Sequence, residues 1–531
     1  MKRFSVFFLV STISFSFLAV FNTGAEAQVT AQVERFAPSL SALSAGPETE
    51  WNKTYGGTDN DYAYSMVQTS DGGYAIVGET YSFGVGGDFW LVKTDAAGNA
   101  QWFQTYGGTG SDWPCSLVQT DDGGYALAGT TMSFGANYKD FRLVKTDSSG
   151  NMQWNKTYGG MSDDEASSMV QTSDGGYVLA GETTPFGSEI SDLWLVKTDS
   201  AGNMQWNRTY GGTDNDHANS VVQTADGGYA LAGGTQSFRI VTSDIQNFWL
   251  VKIDAAGNVV WNKTYGGIRN DYARCVVQTA DGGYVLAGNT FSLDNNWDLW
   301  LVRTDSSGNM QWNRTYGGAS GDYGSSMVQT SDGGYAIAGS TSVYLDGYWY
   351  SDFWLVKTDA AGNAQWNITC GGTSNEAASS VVETSDRGYA LAGRTDSFGA
   401  GGADFWLVKV AGDVTEPEAR AGQDQTVNVN ATVSFDAGSS TDNVGIVSYK
   451  WNFGDETFGT GKTATHVYAN AGTYIVTLTV EDAAGNLATD TMVVTVNTPG
   501  GFPWWIAAAV GIVAVGIAVA VLILWRREKK T

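Results

Sequence analysis

Between residues 51 and 410 short apolar runs alternate with polar, glycine-bearing breaks, and one arrangement keeps returning. In the first unit, residues 51–101, the runs are SMVQT, YAIVGET, DFWLVKT and AQWFQTY, termed A, B, C and D. Each has the length of a β-strand. Consecutive apolar positions, as in FWLV, mark strands covered on both faces rather than one. Asp71-Gly72-Gly73 between A and B predicts a hairpin turn in which glycine takes positive φ. Asp95-Ala96-Ala97-Gly98-Asn99 between C and D predicts a type I turn with a glycine bulge.

The unit recurs with Trp51, Trp102, Trp154, Trp206, Trp261, Trp312 and Trp366, at intervals of 51, 52, 52, 55, 51 and 54 residues. A period near fifty is the signature of a propeller or solenoid, and radially arranged four-stranded sheets make a propeller. Seven A, seven B and seven C runs are present, the last C at residues 404–410, with no D after it. Residues 51–55 are a D run with nothing before them, which predicts that the N-terminal run completes the seventh blade. An open solenoid leaves that orphan unexplained. The expected fold is therefore all-β, with a seven-bladed β-propeller over residues 51–410. In it, D–A and B–C loops share one face. A–B and C–D turns share the other, from which the chain enters and leaves. The B–C loops vary most: the fourth reads QSFRIVTSDIQ and the sixth SVYLDGYWYS.

The repeat, W-x-x-T-Y-G-G … D-G-G-Y … L-V-K-T-D-x-x-G-N, resembles that of exported bacterial and archaeal seven-bladed propeller proteins of the cell surface. Residues 411–498 leave the repeat. There Trp451, Phe453, Gly454, Asp455, His466, Tyr468, Gly472 and Tyr474 resemble a PKD (polycystic kidney disease) domain, which implies an immunoglobulin-like β-sandwich serving as extracellular spacer or adhesion module. Thr441-Asp442-Asn443-Val444 stands where that family usually has D-P-D-G, so an inherited calcium site is unsupported and no cofactor is expected. Alternating residues from 473 to 480 independently indicate a two-faced strand.

The chain ends address it to a membrane. Residues 1–27 have the charged start, apolar core and Ala25-Glu26-Ala27 cleavage site of a signal peptide, followed by a linker at 28–50. Residues 504–525 are uncharged, long enough to span a bilayer, and bracketed by Trp504, Trp505 and Trp525. Arg526, Arg527, Lys529 and Lys530 then hold the 526–531 tail in the cytoplasm. A single-pass protein of the cell membrane, its ectodomain outside, is expected. A net charge of −26 argues against nucleic acid as a partner. Cys115, Cys275 and Cys370 are odd in number and predict no disulfide framework.

Chemistry is sparse. Only His217, read as lying in a loop between blades, and His466 are present, and no triad, zinc or phosphate-loop motif occurs; no catalytic or metal-binding residue is assigned. Asp61, Asp112, Asp164, Asp216, Asp271, Asp322 and Glu376 follow every Gly-Gly pair. Such repetition fits a turn requirement, each acid accepting backbone N–H bonds; a cation-collecting ring at the channel mouth is the alternative. Asn52, Asn155, Asn207, Asn262, Asn313, Asn367 and, in the sandwich, Asn430 open N-x-Thr glycosylation acceptors, six of them on D runs that form exposed edges. Tyr344, Tyr348, Trp349 and Tyr350 put four aromatics in the sixth B–C loop and are the candidate ligand contacts. The expected function is non-enzymatic surface recognition or adhesion, or an envelope role, with an extracellular protein or carbohydrate as ligand. A glycan-acting hydrolase or lyase in the channel and a purely structural spacer are the competing classes.

Overall fold

The computed structural model describes residues 44–498 apart from 136–137, 185–189, 239–244, 292–295, 346, 413–414, 443–444 and 483–484. The expected signal peptide, membrane helix and cytoplasmic tail lie outside the described residues. Among those described, every regular element is a strand and no helix is long and apolar enough to cross a membrane.

Each repeat folds as an antiparallel sheet in the order A–B–C–D; in the first these are Asp61–Gln68, Tyr74–Thr80, Asp88–Thr94 and Ala100–Tyr106. Strands B and C are buried along their whole length and D is largely exposed, as the doubly apolar runs predict. Strand A starts earlier than its apolar run because a β-bulge between Ala63 and Ser65 breaks the period-two pattern. The seventh sheet takes its D strand from the N-terminal side: Thr49–Tyr55 pairs antiparallel with Asp404–Val410, Asn52 opposite Val408. The sixth sheet carries a strand the repeat did not predict, Ser44–Ala45, parallel to Trp366 and Asn367.

The repeated motif is a code for joining sheets. Each D-strand tryptophan sets its ring edge-on against the B-strand tyrosine of the next sheet, from Trp102 on Tyr125 at 5.9 Å to Trp366 on Tyr389 at 5.6 Å. Such pairs contribute about 0.5–1.5 kcal/mol each beyond burial. The last D residue, tyrosine in six sheets, donates its hydroxyl to the glycine carbonyl of the next C–D turn, as Tyr106 does to Gly150 and Tyr316 to Gly362, both at 2.6 Å. Glycine is required in that turn twice over. Gly98 has a φ of 74°, and a Cβ there would lie 2.5 Å from the Trp51 ring.

Cys370 is the one departure from tyrosine, and the topology accounts for it. The sheet that follows it is the seventh, whose D strand comes from the other end of the chain. No C–D turn exists there to accept a hydroxyl. The same missing turn leaves Trp366 uncovered, and the N-terminal segment replaces it: Gly46 lies against the ring, so close that a Cβ would come within 2.8 Å, and Trp366 is only 3% exposed.

The seventh sheet meets the first through the contacts used elsewhere. Ser380 Oγ accepts the Met66 N–H at 3.2 Å, as Ser65 Oγ accepts that of Leu117 between the first and second sheets. Trp90 and Phe405 rings meet at 4.6 Å, and Tyr55 donates to Gly98 across the same seam.

Residues after 410 form a separate β-sandwich. One sheet joins Gln425–Asn428, Leu487–Asn497, Gly472–Asp482, Ile446–Asn452 and Phe458–Thr460; the other pairs Thr432–Asp436 with Thr463–Val467. Its core centres on Trp451, Phe435, Phe453 and Tyr468. His466 stacks on Phe453 at 4.4 Å, with Nε2 2.7 Å from Asp455 Oδ2, and serves that packing. A cavity of about 470 Å³ is lined by the short turns at Asp332, Asp359 and Arg387 and by Val447 and Glu481.

Candidate functional site

The short-turn face is uniform. In every repeat a buried C-strand cation reaches the A–B turn aspartate, from Lys93–Asp71 at 2.9 Å through Lys145–Asp122 at 2.8 Å to Lys409–Asp386 at 2.9 Å. Hydrogen bonds from Lys145 and then Thr120 hold the Asp122 carboxyl down at about 2. These acids do turn work, as expected.

The acid after each Gly-Gly pair is likewise structural. All seven are buried. Asp61 accepts the Gly57 N–H at 2.9 Å, the Ser82 hydroxyl at 2.8 Å and the Thr80 hydroxyl; Glu376 accepts the Gly372 N–H and Thr395 hydroxyl, both at 2.9 Å. They form no open ring at a channel mouth. Burial pushes the Asp164 and Asp271 carboxyls up to about 6. Beside each acid lies the residue opening the preceding C strand: Asp404 against Asp61, Asp352 against Glu376, and Asn247 against Asp271.

The D–A and B–C side breaks the seven-fold pattern. In the sixth repeat strands B and C run on to eleven residues each, Tyr335–Leu345 and Tyr348–Thr358, against seven in the first. The segment expected as a loop is therefore a hairpin arm. Tyr344 stands opposite Trp349, ring centroids 5.0 Å apart. Tyr344, Tyr348 and Trp349 are 61%, 67% and 60% exposed, while Tyr350 is half-buried. The hairpin holds the first three outward.

Sequence reasoning missed a second set on this face: the residue following each recurring acid, near the start of strand A. These are Tyr62, Trp113, Glu165, His217, Tyr272, Tyr323 and Ala377. Variation at one position of an otherwise uniform repeat was the available signal. Trp297 gathers Tyr272 at 5.3 Å, Phe291 at 5.1 Å and Tyr323 at 6.4 Å. Lys139 lies 5.7 Å over Trp113 and pairs with Glu165 at 2.6 Å. Tyr64 donates to Glu79 at 3.4 Å, and burial pushes that carboxyl up. His217 lies on strand Asp216–Gln223, not in a loop; Nδ1 meets Gln246 at 3.1 Å, and burial, then Arg274, pull its pKa down to about 4.

The D-strand asparagines are hydrogen-bond acceptors. Oδ1 of Asn52, Asn207, Asn262, Asn313 and Asn367 receives the indole N–H of the neighbouring C-strand tryptophan at 3.2–3.5 Å. The repeated sequon thus has a packing cause, and Oδ1 is engaged while Nδ2, the atom a glycan would modify, is not used in that bond. In the second repeat Arg142 replaces that tryptophan, and Asn155, opposite Val144, has no indole to accept from. Asn52, Asn207, Asn262 and Asn430 are exposed; Asn155, Asn313 and Asn367 are half-buried, and the Asn367 edge is covered by Ser44–Ala45 rather than open. The three cysteines are free, and burial pushes the Cys115 and Cys275 thiols up to about 12. Among the described residues no group of three or more His, Cys, Asp or Glu is placed to hold a metal ion. In the Thr441–Val444 stretch, Asp442 Oδ2 accepts the Gly445 N–H at 2.7 Å, and 443–444 lie outside the described residues.

Residues 414–496 match the PKD domain family, so the sandwich is a PKD domain. Collagenase ColA of Bacillus cereus is 44% identical over 70 residues, 13% of this chain and 7% of that protein, within the PKD region. Regulatory protein FlaEY of Caulobacter vibrioides is 26% identical over 267 residues, 43% of this chain and 27% of that one. The chain thus spans about a quarter or less of the length of these relatives. The crystal structure of the PKD1 domain from the Vibrio cholerae metalloprotease PrtV is 34% identical, covering 16% of this chain and 100% of that domain, with a TM-score of 0.14.

Proposed function

We propose that this is a non-enzymatic recognition or adhesion protein of the cell surface. Its seven sheets close as a seven-bladed β-propeller over residues 51–410. Residues 1–27 are removed on export, 504–525 anchor the chain in the membrane, and the sequon asparagines carry glycan. The PKD domain supports an extracellular surface setting, and the Thr49–Tyr55 pairing with Asp404–Val410 supports ring closure. One observation carries the reading. Symmetry is kept on the short-turn side, where sheet after sheet repeats one ion pair, and broken on the other, where exposed aromatics stand on a lengthened β-hairpin. A binding site needs particular groups in one place. Rigid rings supply contact area at small entropic cost, which suits a carbohydrate or protein ligand. A chain stopped after Gly501 is expected to appear in the medium; its retention in the membrane would contradict the anchor.

A second reading, a glycan-acting hydrolase or lyase, is favoured by Glu165 and Glu182, which are register partners on adjacent strands. Burial, and then the Glu165 carboxylate, push the Glu182 carboxyl up against the opposing hydrogen bond of Ser191, and Lys139 pairs with Glu165. Two carboxyls in unlike environments are the minimum for acid–base work on a glycosidic bond. Glycan cleavage by the wild type that Glu182→Gln abolishes would establish it.

A further inference from the structure

The seam between the seventh and first sheets holds a cavity of about 260 Å³ lined by Tyr62, Ala63, Tyr64, Ala377, Ser379 and Arg394. Arg394 is its distinctive member. The same B-strand position is Glu79, Thr130, Glu182, Gly234, Asn289 and Ser340 in the other repeats. At two seams this side chain accepts a main-chain N–H from strand A of the next sheet: Thr130 Oγ1 from Ala166 at 3.0 Å, and Asn289 Oδ1 from Gly324 at 2.8 Å. The equivalent of Ala166 and Gly324 at the seventh seam is Ala63. A guanidinium has no lone pair to offer, so here the position that at those two seams supplies an acceptor supplies another donor.

The Arg394 Nε is buried without a hydrogen-bond partner, and no carboxylate among the described residues pairs with this side chain; its neighbour is the Tyr62 ring, 5.6 Å from Cζ. A half-buried, unpaired arginine in a chain of net charge −26 is a site short of an anion. The walls that complete it are two tyrosines and a serine hydroxyl, which suits a sugar ring with its hydroxyls.

We propose that this cavity binds the carboxylate of an acidic sugar residue, Arg394 gripping the carboxylate and Tyr62 and Tyr64 flanking the ring. The proposal rests on the recognition reading only for the kind of ligand, not on the hairpin arm. Glucuronate, glucose and acetate, titrated into the full-length chain in detergent, test it. Glucuronate is expected to bind at least tenfold more tightly than glucose or acetate, to lose at least tenfold in affinity with Arg394→Gln, and to recover part of it with Arg394→Lys. Replacing Tyr344, Tyr348 and Trp349 by Ala should leave glucuronate binding intact, which separates failure of this site from failure of the arm. Binding that is absent from the wild type, or equal in Arg394→Gln at an unchanged melting temperature, overturns the proposal. Equal affinity for acetate and glucuronate overturns the sugar assignment.

Discussion

The indole N–H of Trp406 donates to Asn52 Oδ1 at 3.3 Å, joining residues 354 positions apart in the chain. The same bond links Trp300 to Asn313 within one repeat. Where the sequence departs, with Phe103 in place of asparagine, the Trp90 indole nitrogen is buried without a partner. A single type of bond therefore accounts for five of the six D-strand asparagines as structural residues, whatever is attached to them.

Asn313→Ala strands the Trp300 indole N–H and should cost about 1–3 kcal/mol. Asn155→Ala, which faces no tryptophan, should cost clearly less. Urea unfolding of the two unglycosylated variants side by side measures the difference; equal losses would mean the bond contributes nothing.

Deleting residues 51–57 removes the strand on Asp404–Val410, the Tyr55 bond to Gly98 and the Trp51 contact with Tyr74. It exposes a long apolar edge. The melting temperature of the whole repeat array should fall by several degrees. An unchanged midpoint contradicts ring closure.

The buried acids give stability an unusual pH dependence. Asp164 and Asp271 are raised to about 6, and burial also raises Asp88, Asp192, Asp322 and Asp404. Their folded pKa lies above the unfolded value of about 4, so the folded chain holds these protons more tightly. For Asp164 and Asp271 that contribution is full below about pH 4 and is lost as pH rises through about 6, and the other four lose theirs in the same direction. His217, pulled down to about 4, works the other way: its contribution is present above its unfolded value and lost as pH falls. It is one group against several. Asp122, Asp174 and Asp226, held at about 2, withdraw their contribution only in stronger acid. The melting temperature should be higher at pH 5 than at pH 7.5, and calorimetry at the two values checks the sign.

Much of the architecture was readable because the repeat states it redundantly: tryptophan, Asp-Gly-Gly-Tyr and the apolar C run each mark the same four strands. Strand A hid its start behind the bulge at Ala63–Ser65. The repeat alone predicts a loop where the hairpin arm stands, because its length has no counterpart in the other units, although Asp346-Gly347 between aromatic and β-branched residues is itself a hairpin signal. The varied positions from Tyr62 to Ala377 become a set only in the fold, where the side-by-side arrangement of the A strands brings together residues some fifty apart. Ser44–Ala45 and its cover over Trp366 carry no periodic signal and depend on a tertiary gap.

The most direct test of recognition through the asymmetric face is a glycan and protein array probed with the full-length chain, the variant with Tyr344, Tyr348 and Trp349 changed to Ala, and a variant with Ala96, Ala201 and Ala256 of the short turns changed to Arg. The account predicts that the aromatic variant loses at least tenfold of its specific signal at an unchanged melting temperature, while the short-turn variant binds as the wild type does. Binding that survives the aromatic changes and fails with the short-turn ones would contradict it.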